Sequence, residues 1–323
     1  MNHVSSFTSR HFHLEQLADG VYAAINAKDG WAICNAGIID LGDRTLVYDA
    51  FIAPQAASDL KAAAEHLTHR PVHMLIDSHY HNDHIWGNQA FSSETDIIST
   101  AKTRDLIITE GAKEIQGYRE VVPKQLESAM EKLARARDKT ELENLRLHVT
   151  YFQAISATLP LLKIRLPNIT FTGNMSLEGS RRSANLITYD DVHCGSDAIL
   201  YLPADGIVFM EDVLFSGFHP YLEDGNPDRV QFVLQEVKKM DARIFIPGHG
   251  LVGDVSQLDW MDNYINCLNS LANDVINKGG EETELEKCVM PAEYENLLFP
   301  QYFMINLKFI YRWQVSQKTR SDS

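Results

Sequence analysis

The sequence predicts an α/β layered fold with α+β character. Three observations carry this. Residues 19–50 read as successive β-hairpins. An Ala-rich helical segment and an apolar strand follow, and that strand–helix–strand order is the signature of a layered α/β body. A block over about 101–165 then changes to helical periodicity before strands resume at Ile169. At 323 residues the chain is long enough to bury a large core, as one big domain or two.

Val21–Ile25 is β-prone. Ala36–Asp40 and Thr45–Asp49 flank the turn signal Leu41-Gly42-Asp43-Arg44. Ala56–Leu67 places Leu60, Ala64 and Leu67 on one helical stripe, and Pro71 stops it. The apolar run from Val72 reads as a buried strand, with a new helix beginning near Ile85. In the helical block, Pro123 suits the first turn of a helix carrying Leu126, Met130 and Leu133. Thr140-Glu141-Leu142-Glu143 reads as a capping box opening a second helix, with Leu145, Val149, Phe152 and Ile155 on its stripe. These two helices, 123–160, form a hairpin insertion, either packing ornament or lid, with its ends and Phe152 or Phe171 offered as pocket wall. Strands are expected at Ile169–Phe171, Met175–Leu177, Ala184–Tyr189, Ala198–Leu202, Ile207–Met210 and Arg243–Ile246. From residue 256 a helix carries Met261, Ile265 and Leu268, an acidic linker spans Glu281–Glu286, and an aromatic-rich tail follows, suited to packing or a homo-oligomer contact.

Composition narrows the partners. The net charge of −15, from 29 basic and 44 acidic residues, argues against nucleic acid and against an anionic membrane surface. No run has the length of a transmembrane helix, and Met1–Gln16 lacks the pattern of a signal peptide. Cys34, Cys194, Cys267 and Cys288 are few and widely spaced, which fits a reducing cytoplasm better than a disulfide framework. These exclusions leave a small-molecule substrate open.

The stretch Ser78-His79-Tyr80-His81-Asn82-Asp83-His84 organises the chain. Imidazole and carboxylate suit zinc and similar divalent ions. Alternation in an extended segment puts His79 and His81 on one side. A single tetrahedral ion cannot easily use all four ligands, so the spacing points to two adjacent ions. Further candidates sit at later strand ends: His193, Asp212, and His249 within Pro247-Gly248-His249-Gly250.

These residues resemble the metallo-β-lactamase-fold hydrolase superfamily. Its His-x-His-x-Asp-His motif matches His79, His81, Asp83 and His84, and its remaining motifs match Asp49, His193, Asp212 and His249 in order. The resemblance covers roughly residues 15–255, interrupted by the insertion, with 256–323 as an extension packed on the same domain. It implies an αββα sandwich of two mixed sheets flanked by helices. It implies one metal on His79, His81 and His193, another on Asp83, His84 and His249, and Asp212 with a water bridging them. Asp49 would orient the ligand loop. The catalytic carboxylates would be Asp212, as the bridge, and Asp83, in a proton-handling role restricted by ligation.

The implied activity is dinuclear hydrolysis by a metal-bridging hydroxide, with two divalent ions, zinc before iron or manganese. Substrates of the resemblance include esters, thioesters, lactones, β-lactams and phosphodiesters. Asp212 stands where the best-matching zinc β-lactamases carry Cys or Ser, and Phe215 stands where acyl-homoserine lactonases place Tyr. The rival enzyme is an iron-dependent sulfur dioxygenase of the same fold, and the non-enzyme rival is a metal-stabilised binding protein. Tyr80, Trp86, Phe215 and His219 are the substrate-pocket candidates.

Overall fold

The computed structural model describes residues 7–321, of which 319–321 by backbone alone. The first six residues of the stretch read for a signal peptide, and residues 322–323 of the extension, lie outside the described residues.

Two mixed sheets face each other. The first runs in chain order: β1 (Phe12–Ala18), β2 (Val21–Asn26), β3 (Ala36–Asp40), β4 (Thr45–Tyr48), β5 (Val72–Ile76), β6 (Asp96–Thr100) and β7 (Ile169–Phe171). It is antiparallel up to β4 and parallel from β4 onward. The second contains β8 (Met175–Glu178), β9 (Ser183–Asp190), β10 (Ser196–Leu202), β11 (Ile207–Phe215) and β12 (Ile244–His249), in the order β12-β11-β10-β9-β8. Only β11 and β12 pair in parallel there.

Side-chain alternation sorts the strands into three apolar layers. Ala23, Ile25, Ile39, Leu46, Met74 and Ile76 point inward from the first sheet and meet Leu186, Leu200, Leu202, Ile207, Phe209 and Ile246 from the second. Their neighbours Ala24, Ile38, Val47 and Leu75 point outward, onto α1 (Pro54–Thr68) and the insertion. Ile199, Val208, Met210 and Phe245 point outward from the second sheet, onto α5 (Pro227–Val237), α6 (Val255–Asn277) and α7 (Gln301–Ser321). The result is an αββα sandwich. Phe303, Leu307 and Ile310 of α7 are buried in the same layer as β11, so the C-terminal helices share this core.

Several local expectations are corrected. β1 escapes hydrophobic patterning because Glu15 and Gln16 are consecutive polar residues and the register shifts between Gln16 and Ala18, which breaks its alternation. The insertion is α3 (Ala101–Arg135) and α4 (Lys139–Thr158), and Pro123 lies inside α3 rather than opening a helix. An interior proline costs about 3 kcal/mol; packing of Ile107 and Val122 into the outer layer carries the helix through it. The cap of α4 is Asp138, whose carboxylate accepts from the Glu141 N–H at 2.9 Å, so the capping box at Thr140 is not used. The acidic linker is a 3₁₀ turn, Glu282–Lys287, anchored by buried Leu285.

Phe209 tests the inter-sheet layer. Its ring lies 5.6 Å from that of Tyr48 and against the bare backbone of Gly37. Phe209→Ala should lose about 3–5 kcal/mol in denaturant unfolding of the metal-free protein. A loss below about 1 kcal/mol would show that the sheets do not depend on this contact.

Candidate metal centre

The ends of β4, β5, β9, β11 and β12 meet at one edge of the sandwich. The backbone ties the two sheets there: Ala198 N–H donates to Ser78 O at 3.1 Å, and Asn35 N–H to Gly248 O at 2.7 Å. His79 and His81 lie on the loop after β5. Asp83 and His84 lie on a helical turn, α2 (Asn82–Ile85), so the helix starts three residues before the expected Ile85. His193 lies on the β9–β10 loop, Asp212 within β11, and His249 at the end of β12.

The seven side chains converge. Ligand-capable atoms of His79, His81, His193 and Asp212 lie within 4.8 Å of one another, as do those of Asp83, His84 and His249. His81 Nδ1 is 3.1 Å from His79 Nε2 and 3.0 Å from His193 Nε2. Asp212 stands between the two sets, with Oδ2 3.5 Å from His193 Nε2 and 3.3 Å from His249 Nε2, and Oδ1 3.4 Å from His84 Nε2. Asp83 Oδ2 is 3.4 Å from His249 Nε2.

Carboxylates behind the imidazoles decide which nitrogen faces inward. Asp49 Oδ2 accepts from His84 Nδ1 at 2.8 Å. Glu211 Oε2 lies 3.2 Å from His79 Nδ1, and Asp224 Oδ2 3.1 Å from His81 Nε2. The His84 and His81 ring N–H groups donate to Asp49 and Asp224, and that of His79 donates to the Ser78 hydroxyl at 3.0 Å, so the opposite nitrogens present their lone pairs to the centre. Asp49 also accepts from the Ser78 N–H and hydroxyl, each at 3.0 Å, which fixes the loop. Asp197 holds the His193 loop by accepting from the N–H groups of Val192, His193 and Cys194 at 3.1–3.2 Å.

Backbone geometry is specialised at these points. Asp49 and Glu211 have φ of 64° and 44°. Glu211 sits at a register shift in the β11–β12 ladder, and this bulge extends β11 past Met210 so that Asp212 is inside the strand. A Cβ at Gly248 would lie 1.9 Å from Asp212 Oδ1, and one at Gly225 would lie 2.0 Å from Val192 O. The first glycine makes room for the shared carboxylate. The second lets the loop with Asp224 dock on the loop with His193.

Glu211, Asp224 and Asp197 were not singled out by sequence reasoning. Asp224 had a weak signal, the turn sequence Asp224-Gly225-Asn226-Pro227; the other two look like ordinary strand residues. Cys34 was also missed as a site neighbour. Its thiol donates to Asp83 O at 3.0 Å, and burial pushes it up to about 12, so it stays protonated. All four cysteines are free.

The donor set fits divalent cations. His79 Nε2 and His81 Nδ1, both turned inward as lone pairs, lie 3.1 Å apart and repel unless a cation lies between them, and His193 Nε2 is 3.0 Å from the same His81 Nδ1. His84 Nε2 and Asp212 Oδ1 are buried without a hydrogen-bond partner. Burial pushes His193 down to about 3 and His79 well below the usual histidine range, so both are neutral donors. Burial opposes ionisation of Asp212, but the His249 and His84 imidazoles hold it well below the usual carboxylate range.

A cavity of about 880 Å³ opens onto this centre. Tyr80, Phe215 and His219 line it, with Asp83, Asp212 and His249 at its floor. Phe215 stacks on His249 with ring centroids 5.3 Å apart, and His219 is held by Tyr264 through a 2.8 Å hydrogen bond. Trp86 is not in the wall: the α2 turn carries it into the outer core, edge-on to Tyr118. Phe171 instead packs against the inter-sheet layer. The insertion contributes from mid-helix, through Glu114, Tyr118, Tyr151 and Phe152, rather than from its ends. Phe299 and Tyr302 of the C-terminal part complete the wall.

Asp49 can be tested without metal. Asp49→Ala leaves the Ser78 N–H without its partner and His84 unpinned, and should destabilise metal-free protein by about 1–3 kcal/mol in denaturant unfolding. Asp49→Asn, which keeps an acceptor oxygen, should lose less. Equal stability of Asp49→Ala and the parent would remove Asp49 from the support of this loop.

Solved structures with this fold include metallo-beta-lactamases from Pontibacter korlensis (12% identity, TM-score 0.58), Hirschia baltica (14%, 0.56) and Erythrobacter litoralis (14%, 0.57). They cover 79–80% of this chain and 98–99% of their own lengths. No curated protein sequence matches. The sequence profile of the metallo-beta-lactamase superfamily matches residues 29–249, a span that holds the whole convergent cluster, and the chain belongs to that superfamily.

Proposed function

We propose that the chain is a metal-dependent hydrolase working with two adjacent divalent ions, zinc first among them, on a small-molecule ester, thioester, lactone, β-lactam or phosphodiester. The observation that carries this reading is the pair of ligand sets with Asp212 between them. His79, His81 and His193 would hold one ion, and Asp83, His84 and His249 the other. When bound, such ions lower the pKa of water to about 7 and polarise a carbonyl or phosphoryl oxygen. The assembled second set favours hydrolysis over chemistry at a single iron.

The remaining work falls to the chain's own groups. Asp49, Ser78 and Asp224 hold the ring protons of His84, His79 and His81 outward, so the inward nitrogens stay free to ligate. Asp83 faces both the cavity and His249, a position suited to passing a proton between the attacking water and the leaving group. The aromatic wall limits water around a bound substrate. The cavity volume is in the range of small-molecule sites. No described helix is long and apolar enough to cross a membrane.

Metal analysis tests the two sets separately. His249→Ala should lose mainly one metal equivalent and keep the other. Asp212→Ala should weaken both and suppress turnover by about 100-fold or more. Full retention of both ions in His249→Ala would take His249 out of the centre. A hydrolysis screen of metal-loaded protein over the five bond types reads the reaction, and no turnover of any would sink the hydrolase reading.

Acid should release metal, because ligation needs neutral imidazole. Burial works against protonation of His84 and His249. It is outweighed by the Asp212 and Asp49 carboxylates around His84 and by Asp212 around His249, which raise both. His81 in the other set is raised as well, burial being outweighed by Asp224, so protons compete for both sets. As pH falls, metal should leave, and activity with it. Activity unchanged down to about pH 4 would contradict the ligand set.

A further inference from the structure

The end of the cavity built by the insertion has a chemistry of its own. Glu114, on α3, lines it, and its Oε2 is shielded from water without a hydrogen-bond partner. The lysines of the wall are already committed: Lys28 pairs with Glu143 at 2.7 Å and Lys113 with Glu110 at 2.9 Å. The remaining non-ligand acid of the wall, Asp224, is bound to His81. Glu114 is thus the wall carboxylate that no cation answers. Around it stand tyrosine rings from three elements. Tyr118 and Tyr151 join hydroxyl to hydroxyl at 2.8 Å across α3 and α4, and Tyr80 comes from the metal loop.

We propose that this end of the cavity recognises a positively charged group on the substrate, an amine or similar cation, seated between the Glu114 carboxylate and the faces of Tyr80, Tyr118 and Tyr151. A buried carboxylate with a free oxygen gains a charge-assisted hydrogen bond from an ammonium, and aromatic faces attract cations more strongly once desolvated. The net charge of −15 draws cationic solutes toward the protein. Burial pushes Glu114 up to about 7, with His81 and Tyr118 offsetting only part of that, so an arriving cation favours the ionised carboxylate. Burial also pushes the three tyrosine hydroxyls up, and the Glu114 charge adds to it, so they remain protonated. The substrate would then be bifunctional, with its scissile group at the metal floor and its cation at the insertion. The assignment rests on the cavity being the substrate site of the proposed hydrolase.

Calorimetric binding to metal-loaded protein tests this without requiring turnover, so failure of the hydrolase reading shows separately, in the substrate screen. Phenethylammonium should bind at least about tenfold more tightly than 2-phenylethanol. Glu114→Gln, checked for unchanged melting and metal content, should abolish that preference while leaving 2-phenylethanol binding as it was. Equal binding of the two probes by the parent protein overturns the proposal whatever the variant does. A preference that survives in Glu114→Gln overturns the role of Glu114.

Discussion

Everything at the working edge of this protein depends on one electrostatic constraint. His81 Nδ1 lies 3.1 Å from His79 Nε2 and 3.0 Å from His193 Nε2, beside the Asp212 carboxylate, whose buried Oδ1 has no hydrogen-bond partner. An unanswered buried polar group costs about 1–3 kcal/mol. The fold holds several of them in one place. It can do so because the rings of His84, His79 and His81 are tethered from behind by Asp49, Ser78 and Asp224, and because Asp49 and the His193 loop are anchored through backbone N–H groups. A divalent cation relieves the repulsion and satisfies the orphaned atoms together.

The sandwich explains how such a cluster can be rigid. Ligands come from both sheets, and the inter-sheet apolar layer fixes the distance between them. The bulge at Glu211 and the bare backbone at Gly248 are local adjustments that set Asp212 where both ligand sets reach it. The insertion stands apart from this. It contributes no member of the cluster, yet it supplies the middle of the cavity wall. The division is physical: the strand ends hold the cluster of candidate ligands, and the helices over it give the space its shape and charge.

Much of this was legible in the sequence because it is local. The four candidate ligands between His79 and His84 lie within one loop and turn, and the strand-end positions of His193 and His249 follow from apolar runs that stop there. The two-sheet sandwich came from the resemblance, and alternation in β2 to β5 and β9 to β12 agrees with it. What stayed hidden is set by approach between distant segments. Glu211 looks like a strand residue until the bulge turns it toward His79, and Asp224 reaches His81 only because Gly225 lets two loops touch. Trp86 is near the ligands in sequence but is carried into the core by a single helical turn. Pro123 reads as a helix start on local preference, which packing of α3 against α4 and the outer layer overrides.

Anomalous diffraction from crystals of zinc-loaded protein tests the central claim most directly, since it counts and places the ions without assuming a reaction. The account predicts two peaks per chain, one among His79, His81 and His193 and one among Asp83, His84 and His249, with Asp212 in contact with at least one and lying between both. A single peak, or peaks away from these seven residues, would contradict it.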